Sequence, residues 1–451
     1  EHLRSSPGDT DVATDLLARY SDKELKERDD VLVELVSARV SEADAFATAL
    51  LADGRGVVAC AERLSRASDV PSRVLAGYLN AAMGKAARAA RDVASLAVPA
   101  DGPRAAVLGA AAELAGFAGD FELAREILGK VGGEDPEAVW ARVRALVALQ
   151  RYEEAADLLP GVGGEAGTDR RLAAAGVAIR AGRSELAESL LRPIAEADPF
   201  DERPVELLIA LYRTAGQEGQ SKLTAQIRRL RESVSSARVL RWIGANELAQ
   251  RGQWREAEQA LLSLAEEDAT SPGLLELLAE AFVRGGEESI ARGRRWFADR
   301  VERAPESVEA LAGLARLEAA GGDAASAVGR LDRAAERMPA TKLLRLREQI
   351  VAVELKDEAR AKGLVEARVS PFPRVIDDTL SYADLMLATG RAERVEEILR
   401  GGLPGDVPLT PMQSQGLLRV VTQAAQRDAE VVLAGGSAIS PGLLALAQER
   451  G

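Results

Sequence analysis

The sequence predicts an all-α fold, a right-handed α-solenoid of about twelve helical hairpins, and three observations carry that reading. A short phrase recurs: Gly119-Asp120-Phe121-Glu122-Leu123-Ala124 returns as Gly182-Arg183-Ser184-Glu185-Leu186-Ala187, Gly252-Gln253-Trp254-Arg255-Glu256-Ala257, Gly322-Asp323-Ala324-Ala325-Ser326-Ala327 and Gly390-Arg391-Ala392-Glu393-Arg394-Val395. A degenerate copy stands at Gln150-Arg151-Tyr152-Glu153-Glu154-Ala155. The turn positions 84, 119, 150, 182, 216, 252, 286, 322, 356 and 390 lie 31 to 36 residues apart, which is the spacing of stacked helix–turn–helix units. Composition is the third: 47% of residues are hydrophobic but only 4% aromatic, so Ala and Leu supply the apolar surface. Both favour helix, and small side chains allow close helix packing.

Taken in chain order, residues 1–10 read as linker, with Ser5-Ser6-Pro7-Gly8-Asp9. The chain starts at Glu1 rather than Met, which reads as loss of an upstream signal peptide, anchor or domain. Residues 11–103 read as divergent N-terminal hairpins acting as a cap. Asp22 to Asp30 would form its charged outer face, with Val31, Leu32, Leu35 and Val36 behind. Residues 104–404 form the repeat array, whose clearest unit is 308–341. Its first helix carries Leu311, Leu314, Ala315 and Leu317 at the spacing of one buried face. Gly321-Gly322 stops that helix through the left-handed conformation, and Asp323 caps the next. The second helix presents Ala327, Leu331 and Ala334 until Pro339 ends it.

Ala124, Ala155, Ala187 and Ala257 share the register of Ala327, and Leu128, Leu159, Leu191 and Leu261 that of Leu331. Aromatics just past the turn (Phe121, Tyr152, Trp254) are expected to wedge between hairpins. Residues 405–451 close the array as C-terminal helices, a pair over 412–434 and a short helix from Pro441. Lys222, Arg228, Arg229 and Arg231 stand out in an acidic chain and read as a solvated helix face, or as a dock for an acidic segment.

Leu314-Ala315, Gly322-Asp323, Ala327, Ala334 and Pro339 resemble the tetratricopeptide repeat pattern position for position. The likeness is strongest over about 104–200, 238–271 and 308–400, while the family's initial Trp and mid-helix Tyr are mostly Leu and Ala here. It implies that the first helix of each hairpin lines an inner groove through positions 2, 5, 6, 9, 12 and 13. Carried onto this chain, the groove candidates are Trp140, Arg144, Ile179, Arg180, Trp242, Asn246, Gln250 and Arg316. Family members that grip a C-terminal carboxylate place Lys and Asn in the groove. Asn246 fits one such place, but Trp242 stands where Lys is required, so no clamp of that type is expected.

Chemistry is bounded by what is missing. His2 is the only histidine and Cys60 the only cysteine, which excludes a His-dependent triad, a disulfide within the chain and a Cys-based metal site. No nucleophile elbow or phosphate-cradling loop occurs. Helical toroids that cleave polysaccharides also use two carboxylates, but their subsites are paved with aromatics and this chain has 4 Trp and 5 Tyr, so an open solenoid is expected rather than a toroid. The expectation is therefore no catalytic residue, no enzyme activity, no cofactor and no metal. Net charge is −13, which argues against a nucleic-acid partner. Fifty of the 58 basic residues are Arg, read as codon bias of a GC-rich genome.

No apolar run reaches the roughly 18 residues of a membrane span, so no integral membrane segment is expected, and the location is taken as cytoplasmic. The resulting expectation is a non-catalytic scaffold that binds a protein partner, as a peptide or helix, in the concave groove. The alternatives are a sensor module of a larger protein, whose effector or anchor lies upstream of residue 1, and a homotypic assembly module or homo-oligomer.

Overall fold

The computed structural model describes residues 17, 19–98, 103–162, 167–197, 202–214, 221–222, 225, 238–267, 272–369, 376–388, 394–403, 409 and 416–424. The protein is an all-α solenoid, with no strand among the described residues. Four helices come first: α1 (Leu25–Ala38), α2 (Ala43–Asp53) and α3 (Val57–Ser65), then α4 (Val70–Asn80), which pairs with α5 (Ala86–Ala94). Hairpins follow as α6 (Arg104–Phe117) with α7 (Phe121–Lys130), α8 (Pro136–Ala148) with α9 (Tyr152–Leu158), and α10 (Thr168–Arg180) with α11 (Ser184–Ala197). After α12 (Glu202–Thr214) come α13 (Arg238–Gln250) with α14 (Trp254–Glu267), and α15 (Pro272–Arg284) with α16 (Glu287–Arg303). Then come α17 (Val308–Ala320) with α18 (Ala324–Arg337), α19 (Thr341–Val353) with α20 (Glu358–Val369), and α21 (Ile376–Ala388) with α22 (Val395–Gly402). The helix expected past residue 412 is described only over 416–424, and the closing helix at Pro441 lies outside the described residues.

Backbone geometry explains the period. Gly84, Gly119, Gly182, Gly252, Gly286 and Gly322 all adopt positive φ, between 66° and 88°. Gln150 and Lys356 hold the same place at 59° and 54° without being glycine. Positions 216 and 390 lie outside the described residues. A side chain in this conformation costs about 1–2 kcal/mol. Gln150→Gly is therefore expected to raise stability by about 1 kcal/mol, read as a higher urea midpoint at unchanged slope.

The small-residue register is as expected: Ala124, Ala155, Ala187, Ala257 and Ala327 are each fully buried, as are Leu191 and Leu261. Ala334 is only half-buried. The Asp323 carboxylate accepts from the Ser326 amide at 3.3 Å, and Asp135 caps α8 through the amides of Glu137 and Ala138. The turn aromatics take a further partner. The Arg180 guanidinium lies 5.7 Å from the Tyr152 ring centre, and Arg284 lies 5.8 Å from that of Trp254.

Two expectations are corrected. The charged run near the N-terminus does not form an all-solvent face, because Arg28 and Asp29 are buried. Arg28 donates to Asp53 at 2.7 Å, to Asp29 at 2.9 Å and to the Arg55 carbonyl at 2.8 Å, while Arg63 secures Asp29 at 2.6 Å. Lys23, Glu24, Lys26, Glu27 and Asp30 remain outside.

The solenoid is also not open along its length. The Glu306 amide donates to the Gly54 carbonyl at 2.9 Å, and the Val58 amide to the Glu306 carboxylate at 3.3 Å. Gly84 abuts the Pro339 carbonyl, where an added Cβ would approach within 2.8 Å. These partners lie some 250 residues apart in the chain, about seven repeats at a period near 34. One superhelical turn therefore ends against the first. A single apolar core runs from Leu17 to Leu149 and resumes from Leu311 to Ala361. Phe121 packs against both this core and the C-terminal cluster around Leu380 and Leu399.

Candidate binding face

The first helices of successive hairpins are tied by an ion-pair ladder at the repeat spacing. Glu137 at the start of α8 accepts from Arg170 in α10 at 2.8 Å, and Asp169 in α10 accepts from Arg203 in α12 at 2.6 Å. Glu309 in α17 pairs with Lys342 in α19, and Asp384 in α21 pairs with Arg419. Glu113 in α6 pairs with Arg144 in α8. An acid in one unit and a base about one period later is a readable signal. Reading charges helix by helix hides it.

The groove candidates fall into two groups. Trp140 and Arg144 are buried at 7% and 5% exposure, and Arg144 lies beneath the chain's own residues 40–44. Arg144 Nη1 donates to the Ser41 carbonyl at 2.8 Å, and its Nη2 meets Tyr78 Oη and Glu113. Arg170, which the sequence reading did not single out, donates to Ser41 Oγ at 2.6 Å and lies 5.7 Å from the Trp140 ring centre. Ile179 is half-buried in the adjoining core, and Arg180 is held over Tyr152.

In the other group, Trp242 is buried against α15, with its ring 3.9 Å from a Cβ built at Gly273. Asn246 is half-buried and donates to the Trp242 carbonyl at 3.1 Å. The Gln250 side chain lies outside the described residues. Arg316 donates to Glu276 at 3.2 Å, and Lys342 donates to the same carboxylate at 3.4 Å. Arg316 and Lys342 are each 35% exposed and Glu276 50%. Burial works to raise the Glu276 carboxyl, but Lys342 and Arg316 outweigh it and hold it below its usual value. Of the basic stretch, Lys222 pairs with Glu188 at 3.4 Å, and Arg228, Arg229 and Arg231 lie outside the described residues.

At the covered end the electrostatics run the other way. Burial, with Asp44 beside it, pushes the Glu113 carboxyl well above its usual 4.5, and burial also raises Glu42 despite Arg39 and Arg170. A raised carboxyl opposes folding once it ionises. Its contribution is thus complete below about 4.5 and is lost as pH rises through the folded value. Glu113→Gln keeps an acceptor for Arg144, so it is expected to flatten the fall in urea midpoint as pH rises above about 4.5.

Elsewhere, Cys60 is buried and its thiol is pushed up to about 12 by burial, far from the reactive range. Among the described residues no group of His, Cys, Asp and Glu could hold a metal ion, and no helix is long and apolar enough to cross a membrane.

No family model and no curated protein matches the chain. Among solved structures it is similar to the human IFIT1 dimer with m7Gppp-AAAA, at 15% identity and TM-score 0.36, over 82% of this chain and 95% of that one. The human IFIT1 dimer with PPP-AAAA matches at 15% identity and TM-score 0.38, over 82% and 94%. A monomeric IFIT1 mutant with Gppp-AAAA matches at 15% and 0.35, over 83% and 88%. At this degree of similarity the repeat architecture rests on the chain's own turns and cores.

The partner expectation that excluded nucleic acid on net charge is withdrawn. Net charge sums every face of a molecule and does not fix the charge of one of them.

Proposed function

We propose that the chain is a non-catalytic scaffold of the tetratricopeptide type, which holds a polypeptide segment along the first-helix face of α15, α17 and α19. The observation that carries this reading is the convergence of Arg316 and Lys342 on Glu276. Three half-exposed charges on successive first helices offer a segment both donors and an acceptor. The corresponding face of α8 and α10 is covered by residues 40–44 at Arg144 and Arg170, whereas Arg316, Lys342 and Glu276 remain partly exposed. Stacked hairpins hold that face preformed, so binding avoids the entropy of building it. A cytoplasmic location is part of the same reading, consistent with one buried, unpaired thiol at Cys60.

The test compares the intact chain with Arg316→Glu/Lys342→Glu in cross-linked capture from native extract, with and without ribonuclease, beside titration of PPP-AAAA. A protein captured by the wild type after ribonuclease, and lost by the still-folded variant, is the expected result. Capture by both forms contradicts the assigned face. Capture abolished by ribonuclease, or PPP-AAAA bound by the wild type alone, replaces the polypeptide with RNA.

A further inference from the structure

We propose that the first-helix face of α6, α8 and α10 is a recognition site for a peptide turn bearing a hydroxyl and a carboxylate, and that Arg39–Asp44 is its built-in occupant. The occupant is a single 3₁₀ turn, Val40–Glu42, leading into α2. Two guanidiniums from successive first helices read it across 103 and 129 residues of chain: Arg144 on the Ser41 carbonyl and Arg170 on the Ser41 hydroxyl. Both are fixed in advance. Arg170 lies over Trp140 and is held by Glu137, while Arg144 lies 5.6 Å from the Tyr78 ring centre and is held by Glu113. Preorganised arginines between an aromatic ring and a carboxylate recognise oxygen acceptors wherever a turn presents them.

The fit of the occupant is incomplete, and this points to exchange. Glu42 and Arg170 are both more than nine-tenths buried, yet Glu42 Oε2 and Arg170 Nε have no hydrogen-bond partner among the described residues. The ion pair between the two side chains, Arg170 Nη2 to Glu42 Oε1, is 3.9 Å long, too long for a hydrogen bond. A turn that sets its carboxylate slightly differently would satisfy both atoms, which the tethered turn leaves costly. Val40, Ala43 and Phe46 are rooted in the apolar core, so the occupant stays attached and only its polar tip must move. An outside peptide therefore meets a site that is open for only a fraction of the time, and its apparent affinity falls by that fraction.

The probe is a labelled synthetic peptide of residues 39–46, titrated by anisotropy into the full-length chain. Glu42→Lys sets a cation against Arg144 and Arg170 and frees the tip. That variant is expected to bind the peptide at least about tenfold more tightly than the wild type, through charge-assisted hydrogen bonds. Adding Arg170→Glu is expected to abolish the gain. If Glu42→Lys loses its helical signal, Ser41→Ala removes only the hydroxyl and is expected to show a smaller gain. Equal binding by wild type and folded variant, or binding by neither, overturns the proposal. Arg316→Glu/Lys342→Glu leaves this titration unchanged, so the outcome here is independent of the face proposed on α15 to α19.

Discussion

Gly54→Val is expected to destabilise the protein by about 2–5 kcal/mol, as the sum of two separate costs. Gly54 sits at φ 68°, a left-handed conformation that is worst for a β-branched residue. Its missing side chain is also where the first superhelical turn meets the second. A Cβ there would lie 2.5 Å from the Ser307 amide nitrogen and 2.7 Å from its Cα, both backbone atoms that cannot swing aside. Strain accounts for about 1–2 kcal/mol and overpacking for about 1–3. Gly54→Ala carries a milder version of both. Chemical denaturation of the three proteins orders them wild type, Ala, Val. A Val variant as stable as the wild type would mean that the two turns do not touch there.

Arg28→Met is the second large effect, expected to cost about 3 kcal/mol or more, because it strands carboxylates in a dry environment. Arg28 is fully buried and bridges Asp29 and Asp53. Arg63 and Arg55 remain on those carboxylates, so the loss is less than that of a bare buried charge. Replacing the whole set by apolar residues of similar volume is often neutral. Arg28→Met/Asp53→Leu is therefore expected to recover part of the loss that Arg28→Met shows alone. A double variant no better than the single would assign the cost to packing of the arginine stem instead.

The repeat itself was legible because it is local. A left-handed turn, a capping Asp and a buried Ala three to five positions on lie within a dozen residues, and at Gly322, Asp323 and Ala327 the structure reproduces each one. Even Gln150, which carries no glycine signal, was placed by the period and adopts the same turn. What was not legible acts over longer separations. Glu137 and Arg170 look like two charges on two helices until they are compared at one repeat's distance. Gly54-Arg55-Gly56 looks like an ordinary loop, and nothing near it announces Glu306.

Arg28 shows the same limit on a smaller scale. It sits in a run of charges, and only Asp53, 25 residues away, turns it inward. For the binding face, the first-helix positions were identified by register. Which of them are covered depends on residues 40–44, whose sequence carries no sign that Arg144 and Arg170 will take hold of them.

Closure of the superhelical turn is the claim on which the covered and accessible halves of the face depend, and the Glu306 amide reports on it directly. That amide lies between α16 and α17 and has its hydrogen-bond acceptor, the Gly54 carbonyl, on the opposite turn. Site-resolved hydrogen exchange of the intact chain is expected to show it protected about a hundredfold or more relative to a free peptide, as for a tertiary hydrogen bond released only by sub-global opening. Gly54→Val is expected to erase that protection while the amides within α10 and α11 keep theirs. Exchange of Glu306 at the free-peptide rate in the wild-type chain would show an open solenoid and contradict the account.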